Sequence, residues 1–161
     1  MPTALPPSLI DAVLERLRVS PRDRILELEC GEGEASGAIA GRVSEGLVVA
    51  MDASDGNIQV ARARASGVAN LMFIAGNAGE IPWQEDFFSK ALSYGCPRDL
   101  LDVFRVLMPG GLLGLVLAPG VVNESRQAME AAGFTALEEY NLPENVWLLV
   151  SKKTGREIDH G

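Results

Sequence analysis

The segment ILELECGEGEAS at residues 25–36 constrains the fold of this chain more than any other. An apolar run, which is typical of a buried strand, meets a turn that contains two closely spaced glycines, Gly31 and Gly33. A strand, a glycine turn and a helix in this order form the ligand-binding unit of many parallel α/β sheets. A plain tight turn is the alternative. Either interpretation has to explain why four glutamates lie in the same segment.

Segments with strand and helix character alternate from residue 24 onward. Apolar runs predict five strands, at 24–30, 47–51, 71–75, 90–94 and 112–117. Helical spacing and small residues predict four intervening or following helices, at 35–44, 55–66, 98–108 and 122–132. The turn Pro109-Gly110-Gly111 precedes the fifth strand, and two last strands, 134–140 and 146–151, alternate like an antiparallel pair. This order predicts an α/β fold with a doubly wound, seven-stranded sheet, mostly parallel with an antiparallel C-terminal strand, in three α/β/α layers.

A length of 161 residues indicates one domain. We predict a single domain over 1–151, made of an N-terminal helix (1–19) and a core (20–151), followed by a polar tail (152–161). Ser8 is expected to cap the first helix, over residues 8–18, with Asp11 as its capping-box partner.

Composition argues against several classes of function. The net charge of −8 disfavours nucleic acid as a partner, because binding phosphates requires many Lys and Arg contacts. Two cysteines in different contexts, Cys30 and Cys96, fit a reducing cytoplasm better than a disulfide framework. The single histidine, His160, lies in the tail, so no metal site is expected. We also expect no transmembrane segment and no secretory signal, and therefore a cytoplasmic protein.

Polar residues follow several of the predicted strands. Gly31, Asp52, Asn77 and the pair Ser93-Tyr94 stand at strand ends, which meet at one edge of a parallel sheet. A carboxylate at the end of the second strand can accept hydrogen bonds from a ribose diol. Asp52 or Ser54 could instead cap the next helix, and the two roles are compatible.

Two ligand classes compete for the glycine turn. A dinucleotide would place its pyrophosphate there, but the spacing Gly31-x-Gly33-x-x-x-Gly37 is one residue too long for the GxGxxG fingerprint. Glu32 and Glu34 would also repel it, by on the order of 3 kcal/mol for each charge at about 6 Å and an effective dielectric of 20. S-adenosylmethionine carries no phosphate and one net positive charge, so it suits an acidic turn. Solvated glutamates without a role in binding remain an alternative for both positions.

The chain resembles the class I S-adenosylmethionine-dependent methyltransferases of the type 11 family over about residues 8–151. ILELECGEGEAS is similar to the first motif of that family, and VVAMDASDGNIQVARARA is similar to the second. FIAGNAGEIPWQEDFFSKALS and RVLMPGGLLGLVL resemble later motifs, in the correct order, and EAAGF fits the region before the sixth strand. The resemblance implies a Rossmann-like fold with S-adenosylmethionine as cofactor.

The cofactor-binding residues that this resemblance implies come from four strand ends. They are Glu27, Glu29, Gly31, Gly33, Asp52, Ala53, Asn77, Ala78, Ser93 and Tyr94. Three of the matching positions differ from the family pattern. Glu29 replaces a glycine, and its side chain could pair with the cofactor ammonium, fill the pocket or turn to solvent. Asn77 replaces an acidic residue but keeps an acceptor oxygen, and Ser89 replaces an aspartate.

Two functions therefore remain open. The first is transfer of a methyl group from S-adenosylmethionine to a small or lipid-like acceptor. The second is an inactive methyltransferase-like domain that serves as a binding or scaffold module. No catalytic base is evident; Tyr94 and Glu80 are only near the expected mouth. The short connections 76–98 and 118–122 leave no room for a lid, so the acceptor site is expected to be open or completed by another subunit, in a homodimer or with a partner protein.

Overall fold

The computed structural model describes residues 5–155, and its seven strands form one sheet with the order β3-β2-β1-β4-β5-β7-β6. The strands are β1 (Arg24–Leu28), β2 (Leu47–Asp52), β3 (Leu71–Ala75), β4 (Phe88–Tyr94), β5 (Leu107–Leu117), β6 (Thr135–Leu142) and β7 (Val146–Lys152). The helices are α1 (Pro7–Arg16), α2 (Ser36–Arg42), α3 (Asp55–Arg64), α4 (Leu101–Val106) and α5 (Val122–Ala131). Short 3₁₀ turns precede α5 and β7.

The strand directions confirm the predicted fold class. β1 lies in the centre and pairs in parallel with β2 and β4, while β7 is antiparallel to both of its neighbours, β5 and β6. In the register, Leu28 lies opposite Met51, and Asp52 lies opposite Ala75. The carboxyl ends of β1, β2 and β3 therefore meet at one edge of the sheet, where ligands bind in such folds.

Helices cover both faces of the sheet and form its core. On one face α1 and α2 bury Leu9, Leu14 and Ile39 against β4, β5 and β7. On the other face α4 and α5 bury Val103 and Met129 against the same strands and β1. Apolar burial on this scale is the main stabilising term, at roughly 25 cal/mol per Å². Within the described residues, no helix is long and apolar enough to cross a membrane.

Three local predictions were wrong. Ser8 does not cap α1: the helix begins at Pro7 without a side-chain cap, since proline presets the backbone of the first turn, and Asp11 pairs with Arg42 at 3.3 Å. Helix α4 ends at Val106 rather than at 108. The segment Pro109-Gly110-Gly111 lies within β5, where a shift in the pairing with β4 accommodates it, rather than in a separate turn.

The folded body extends past the predicted boundary at residue 151. β7 continues to Lys152, and the Lys153 ammonium donates hydrogen bonds to the carbonyl oxygens of Phe104 and Leu107, each at 2.8 Å. These bonds satisfy carbonyl groups at the end of α4, where a cation is favourable. The remainder of the predicted tail after residue 155, including His160, lies outside the described residues.

Replacing Gly46 by alanine is expected to lower the free energy of unfolding by about 2 kcal/mol, because the side chain would overpack the interior. A Cβ atom there would lie 2.0 Å from the backbone oxygen of Asp23, which accepts a hydrogen bond from Leu47 at the start of β2. Gly37→Ala in α2 is the matched control, since its Cβ meets nothing within 4 Å. The free energy of unfolding of this control should rise by up to about 1 kcal/mol. Equal urea midpoints for the two variants would contradict the packing argument.

Candidate cofactor site

The turn after β1 departs from strand geometry at once. Glu29, Gly31 and Gly33 all have positive φ angles, of 59°, 60° and 77°. The conformation of Glu29 explains why β1 ends at Leu28, two residues before the predicted end. Gly33 is required for packing: a Cβ atom would lie 3.0 Å from Ala61 and about as close to Phe73, and the residue faces these side chains. The glycine turn is thus held against α3 and β3.

Asp52, at the end of β2, ties the glycine turn to the start of α3. Its Oδ2 accepts a hydrogen bond from the Gly31 amide at 2.9 Å. Its Oδ1 accepts bonds from the Ser54 amide at 2.9 Å and from the Asn57 side chain at 3.3 Å. The cap of α3 is Ser54, whose hydroxyl accepts from the Asn57 amide, so the alternative role considered for Asp52 falls to its neighbour. A carboxylate has about four acceptor positions, so one of them stays free for a ligand hydroxyl.

A narrow cleft opens beside Asp52 at the carboxyl edge of the sheet. Its lining residues are Leu28, Glu29, Met51, Asp52, Ala53, Gly76, Asn77 and Ala78. The cleft has a volume of about 30 Å³, an order of magnitude below the ~300 Å³ at which ligand pockets begin. Glu29, Ala53 and Asn77 are solvent-exposed. Binding a molecule of nucleoside size therefore requires these exposed side chains to move aside.

The cleft is negatively charged. Glu29 and Asp52 both line it, and none of its lining residues is a cation. Partial burial and the nearby Asp52 charge raise the pKa of Glu29. Two carboxylates in a cleft whose lining contains no cation form a site suited to a positively charged ligand.

Glu29→Gly is expected to raise the free energy of unfolding by about 1 kcal/mol, because a residue with a Cβ atom is strained in the left-handed region. The substitution also removes the repulsion from Asp52. Denaturation in urea measures the change. Glu45→Gly is the control: this exposed glutamate is not among the described residues with positive φ, so glycine there should lower stability by up to about 1 kcal/mol. The same sign for both variants would contradict the explanation.

Glu27 is not among the residues that line the cleft. Its side chain is fully buried on the α2 face and accepts hydrogen bonds from the hydroxyls of Ser36 and Tyr94, the latter at 2.7 Å. Burial, partly offset by these two hydrogen bonds and reinforced by the charge of Glu34, raises the pKa of Glu27 to about 7. Burial and the adjacent Glu27 also raise the pKa of Tyr94, which therefore remains a protonated donor. These three side chains join β1, α2 and β4 behind the glycine turn.

The other acidic residues of the turn have different surroundings. Glu32 forms an ion pair with Arg64 at 3.6 Å, and a carboxylate oxygen of Glu34 would lie 3.3 Å from a Cβ atom at Gly31.

Ser93 is fully buried, and its hydroxyl has no partner within residues 5–155. Of the ten residues expected at the cofactor, the structure brings five into the cleft lining and Gly31 onto Asp52. Glu27, Gly33, Ser93 and Tyr94 are not in that lining.

Sequence reasoning missed some residues that shape the site. Leu28, Met51 and Gly76 line the cleft, and each directly precedes a residue that was expected there or at the strand end. Their only signal in the sequence was that position. Ser36 also escaped notice, because nothing in the helical segment 35–44 indicates that its hydroxyl reaches the buried Glu27.

The set of groups in the cleft fits S-adenosylmethionine. Asp52 keeps a free acceptor position for a ribose hydroxyl, and the Asn77 side chain offers both an acceptor and donors to a base edge. The two carboxylates and the absence of a cation in the lining match a ligand with one net positive charge. A pyrophosphate would meet unfavourable charge at the same place.

Comparisons with known proteins agree with this assignment. A family model described as "Methyltransferase domain" matches residues 25–111. Demethylmenaquinone methyltransferase from Clavibacter sepedonicus is 38% identical over 96 residues, which are 55% of this chain and 38% of that protein. The ubiquinone/menaquinone biosynthesis C-methyltransferase of Vibrio vulnificus strain YJ016 is 32% identical over 129 residues. The match covers 73% of this chain and 50% of that protein. The chain thus spans half or less of the length of these two curated relatives.

A solved structure shows the same fold. The crystal structure of a SAM-dependent methyltransferase from Aquifex aeolicus superposes with a TM-score of 0.81, covering 90% of this chain and 89% of that one, at 15% identity. This likeness confirms the Rossmann-like arrangement of the sheet and helices. The family model spans more than half of the chain, including the glycine turn, Asp52 and Asn77. The chain therefore belongs to the methyltransferase domain family, whose cofactor is S-adenosylmethionine.

Proposed function

We propose that the protein transfers a methyl group from S-adenosylmethionine to a quinone-like, lipid-like acceptor. The observation that carries this proposal is the acidic cleft at the carboxyl edge of the sheet, in which Glu29, Asp52 and Asn77 come together. The acceptor class is supported by the two relatives, a demethylmenaquinone methyltransferase and a ubiquinone/menaquinone biosynthesis C-methyltransferase. The ten residues expected from the sequence remain our candidates for the cofactor contacts.

A second cavity, of about 440 Å³, is our candidate for the acceptor. It lies after the end of β4, and its lining residues are Gly95, Cys96, Pro97, Arg98, Val121, Glu124, Ser125 and Ala128. Its volume falls within the range of small-molecule sites, ~300–1,000 Å³. Most of its lining is uncharged, which suits an apolar ring. We keep the prediction that the acceptor site is open or is completed by a second copy or a partner protein.

The reaction needs little acid–base chemistry from the protein. When bound, S-adenosylmethionine supplies an electrophilic methyl group on its sulfonium sulfur. The chain's own residues orient the two reactants, and such positioning can lower the activation free energy by several kcal/mol. Methylation at carbon would form one carbon–carbon bond and break the bond between the methyl carbon and the sulfonium sulfur. The electron pair of the broken bond would stay on sulfur, so S-adenosylhomocysteine would leave as a thioether, and the acceptor would release one proton. Burial raises the pKa of the Cys96 thiol, which disfavours its thiolate as the base that would take this proton.

Calorimetric titration with S-adenosylmethionine, S-adenosylhomocysteine and NAD tests the cofactor part of the proposal. We expect binding of the first two in the micromolar range and none of NAD. A water-soluble demethylated naphthoquinol is then the acceptor probe, with mass spectrometry as the readout for the added methyl group. Binding without any methylated product from this probe or a benzoquinol analogue would contradict the acceptor class. No binding of either cofactor form would favour the alternative, an inactive scaffold module.

A further inference from the structure

Glu29 differs from the other glutamates of its turn. Its carboxylate makes no hydrogen bond or ion pair within residues 5–155, whereas Glu27 is bound by two hydroxyls and Glu32 is paired with Arg64. It lines the same cleft as Asp52, and its backbone occupies the left-handed region at φ 59°. An unpaired charge on a strained residue therefore lies in the lining of the proposed cofactor site.

A charge at this place acts on the two forms of the cofactor differently. S-adenosylmethionine has a sulfonium, an ammonium and a carboxylate, and therefore one net positive charge. Loss of the methyl group converts the sulfonium to a thioether, so S-adenosylhomocysteine is neutral overall. The two molecules otherwise share almost all of their contacts. A carboxylate without a partner can therefore give the two molecules different affinities. Direct contact is not required, because the electrostatic field of the carboxylate extends about 8 Å at physiological ionic strength.

Resting on the proposed function, we propose that Glu29 is a specificity-determining residue that makes the cleft prefer S-adenosylmethionine over its product, S-adenosylhomocysteine. Asp52 contributes charge to the same cleft, but its oxygens are held by Gly31, Ser54 and Asn57. Glu29 is free to approach the ligand. In this arrangement the transfer of the methyl group itself lowers the affinity of the cleft for the product, S-adenosylhomocysteine. The product is then more readily replaced by S-adenosylmethionine.

The test is the ratio of the two dissociation constants, measured by calorimetry on the full chain. Glu29→Gln keeps the size of the side chain and removes its charge. We expect this variant to bind S-adenosylmethionine about five-fold more weakly and S-adenosylhomocysteine with unchanged affinity, since a solvent-exposed ion pair is worth about 1 kcal/mol or less. The preference of the unmodified protein should also decrease between ~0.05 M and ~0.5 M salt. Glu45→Gln, which removes an equal charge from an exposed pair with Arg22, should leave the ratio unchanged.

Three results would overturn the proposal, and they can be told apart. An unchanged ratio in Glu29→Gln shows that the charge does not discriminate. Tighter binding of both ligands in Glu29→Gly, with an unchanged ratio in Glu29→Gln, shows that the side chain only obstructs the cleft. Absence of binding of both ligands to the unmodified protein and to all variants removes the cofactor site itself, and the proposed function with it.

Discussion

When the pH rises from about 5 to about 8, we expect the free energy of unfolding to fall by about 2 to 3 kcal/mol because Glu27 loses its proton. Burial raises the pKa of this carboxyl from 4.5 to about 7 in the folded protein. The folded state therefore binds more protons than the unfolded chain in this interval, and stability falls as pH rises. The full contribution is present below the unfolded pKa and is lost as pH passes through the folded value.

The comparison with Glu27→Gln isolates this effect from the other titrating groups. The amide is neutral at every pH and can still exchange hydrogen bonds with Ser36 and Tyr94. Urea denaturation of both proteins at several pH values should give a smaller decrease for the variant, so that their difference changes by about 2 to 3 kcal/mol. Glu45→Gln, an exposed position, should follow the unmodified protein. Parallel stability curves for Glu27→Gln and the unmodified protein would show that the buried carboxyl does not titrate here.

Asp52→Ala should weaken the binding of S-adenosylmethionine by about 100-fold, because a hydrogen bond to a charged group contributes about 1.5 to 3 kcal/mol. The substitution removes the acceptor proposed for a ribose hydroxyl. It also frees the amides of Gly31 and Ser54, which the carboxylate holds at 2.9 Å each, so the glycine turn loses its attachment to the start of α3. S-adenosylhomocysteine, which carries the same ribose, should also lose affinity.

Two further variants separate the role of Asp52 in binding from its role in folding. Asp55→Ala removes an equal charge from the first turn of α3 and should bind both ligands normally. Asp52→Asn keeps one acceptor oxygen and should lie between the unmodified protein and Asp52→Ala. The free energy of unfolding of each variant is measured alongside. Normal affinity in a folded Asp52→Ala variant would remove this residue from the cofactor site.

The placement of the candidate site could largely be predicted from the sequence. The apolar runs and the glycine turn determine the order of strands and helices, because each strand in a parallel sheet must be buried on both faces. Asp52 directly follows one such run and Asn77 stands two residues after another, so the parallel register brings both to one edge. The family motifs are local in sequence, and for this reason they could be recognised without coordinates.

Contacts between residues distant in sequence were decided by the tertiary structure. The hydrogen bonds of Glu27 to Ser36 and Tyr94 join three elements, and only burial among them moves the proton affinity of that carboxyl. Asp52 uses most of its acceptor positions for hydrogen bonds within the protein, including those from the amides of Gly31 and Ser54. Its place in the sequence does not reveal these bonds. The role of the Glu29 side chain is ambiguous in the sequence because it also depends on tertiary contacts. Whether a glutamate pairs, fills a pocket or stays free depends on which groups the fold places beside it, since charge interactions follow distance in space rather than along the chain.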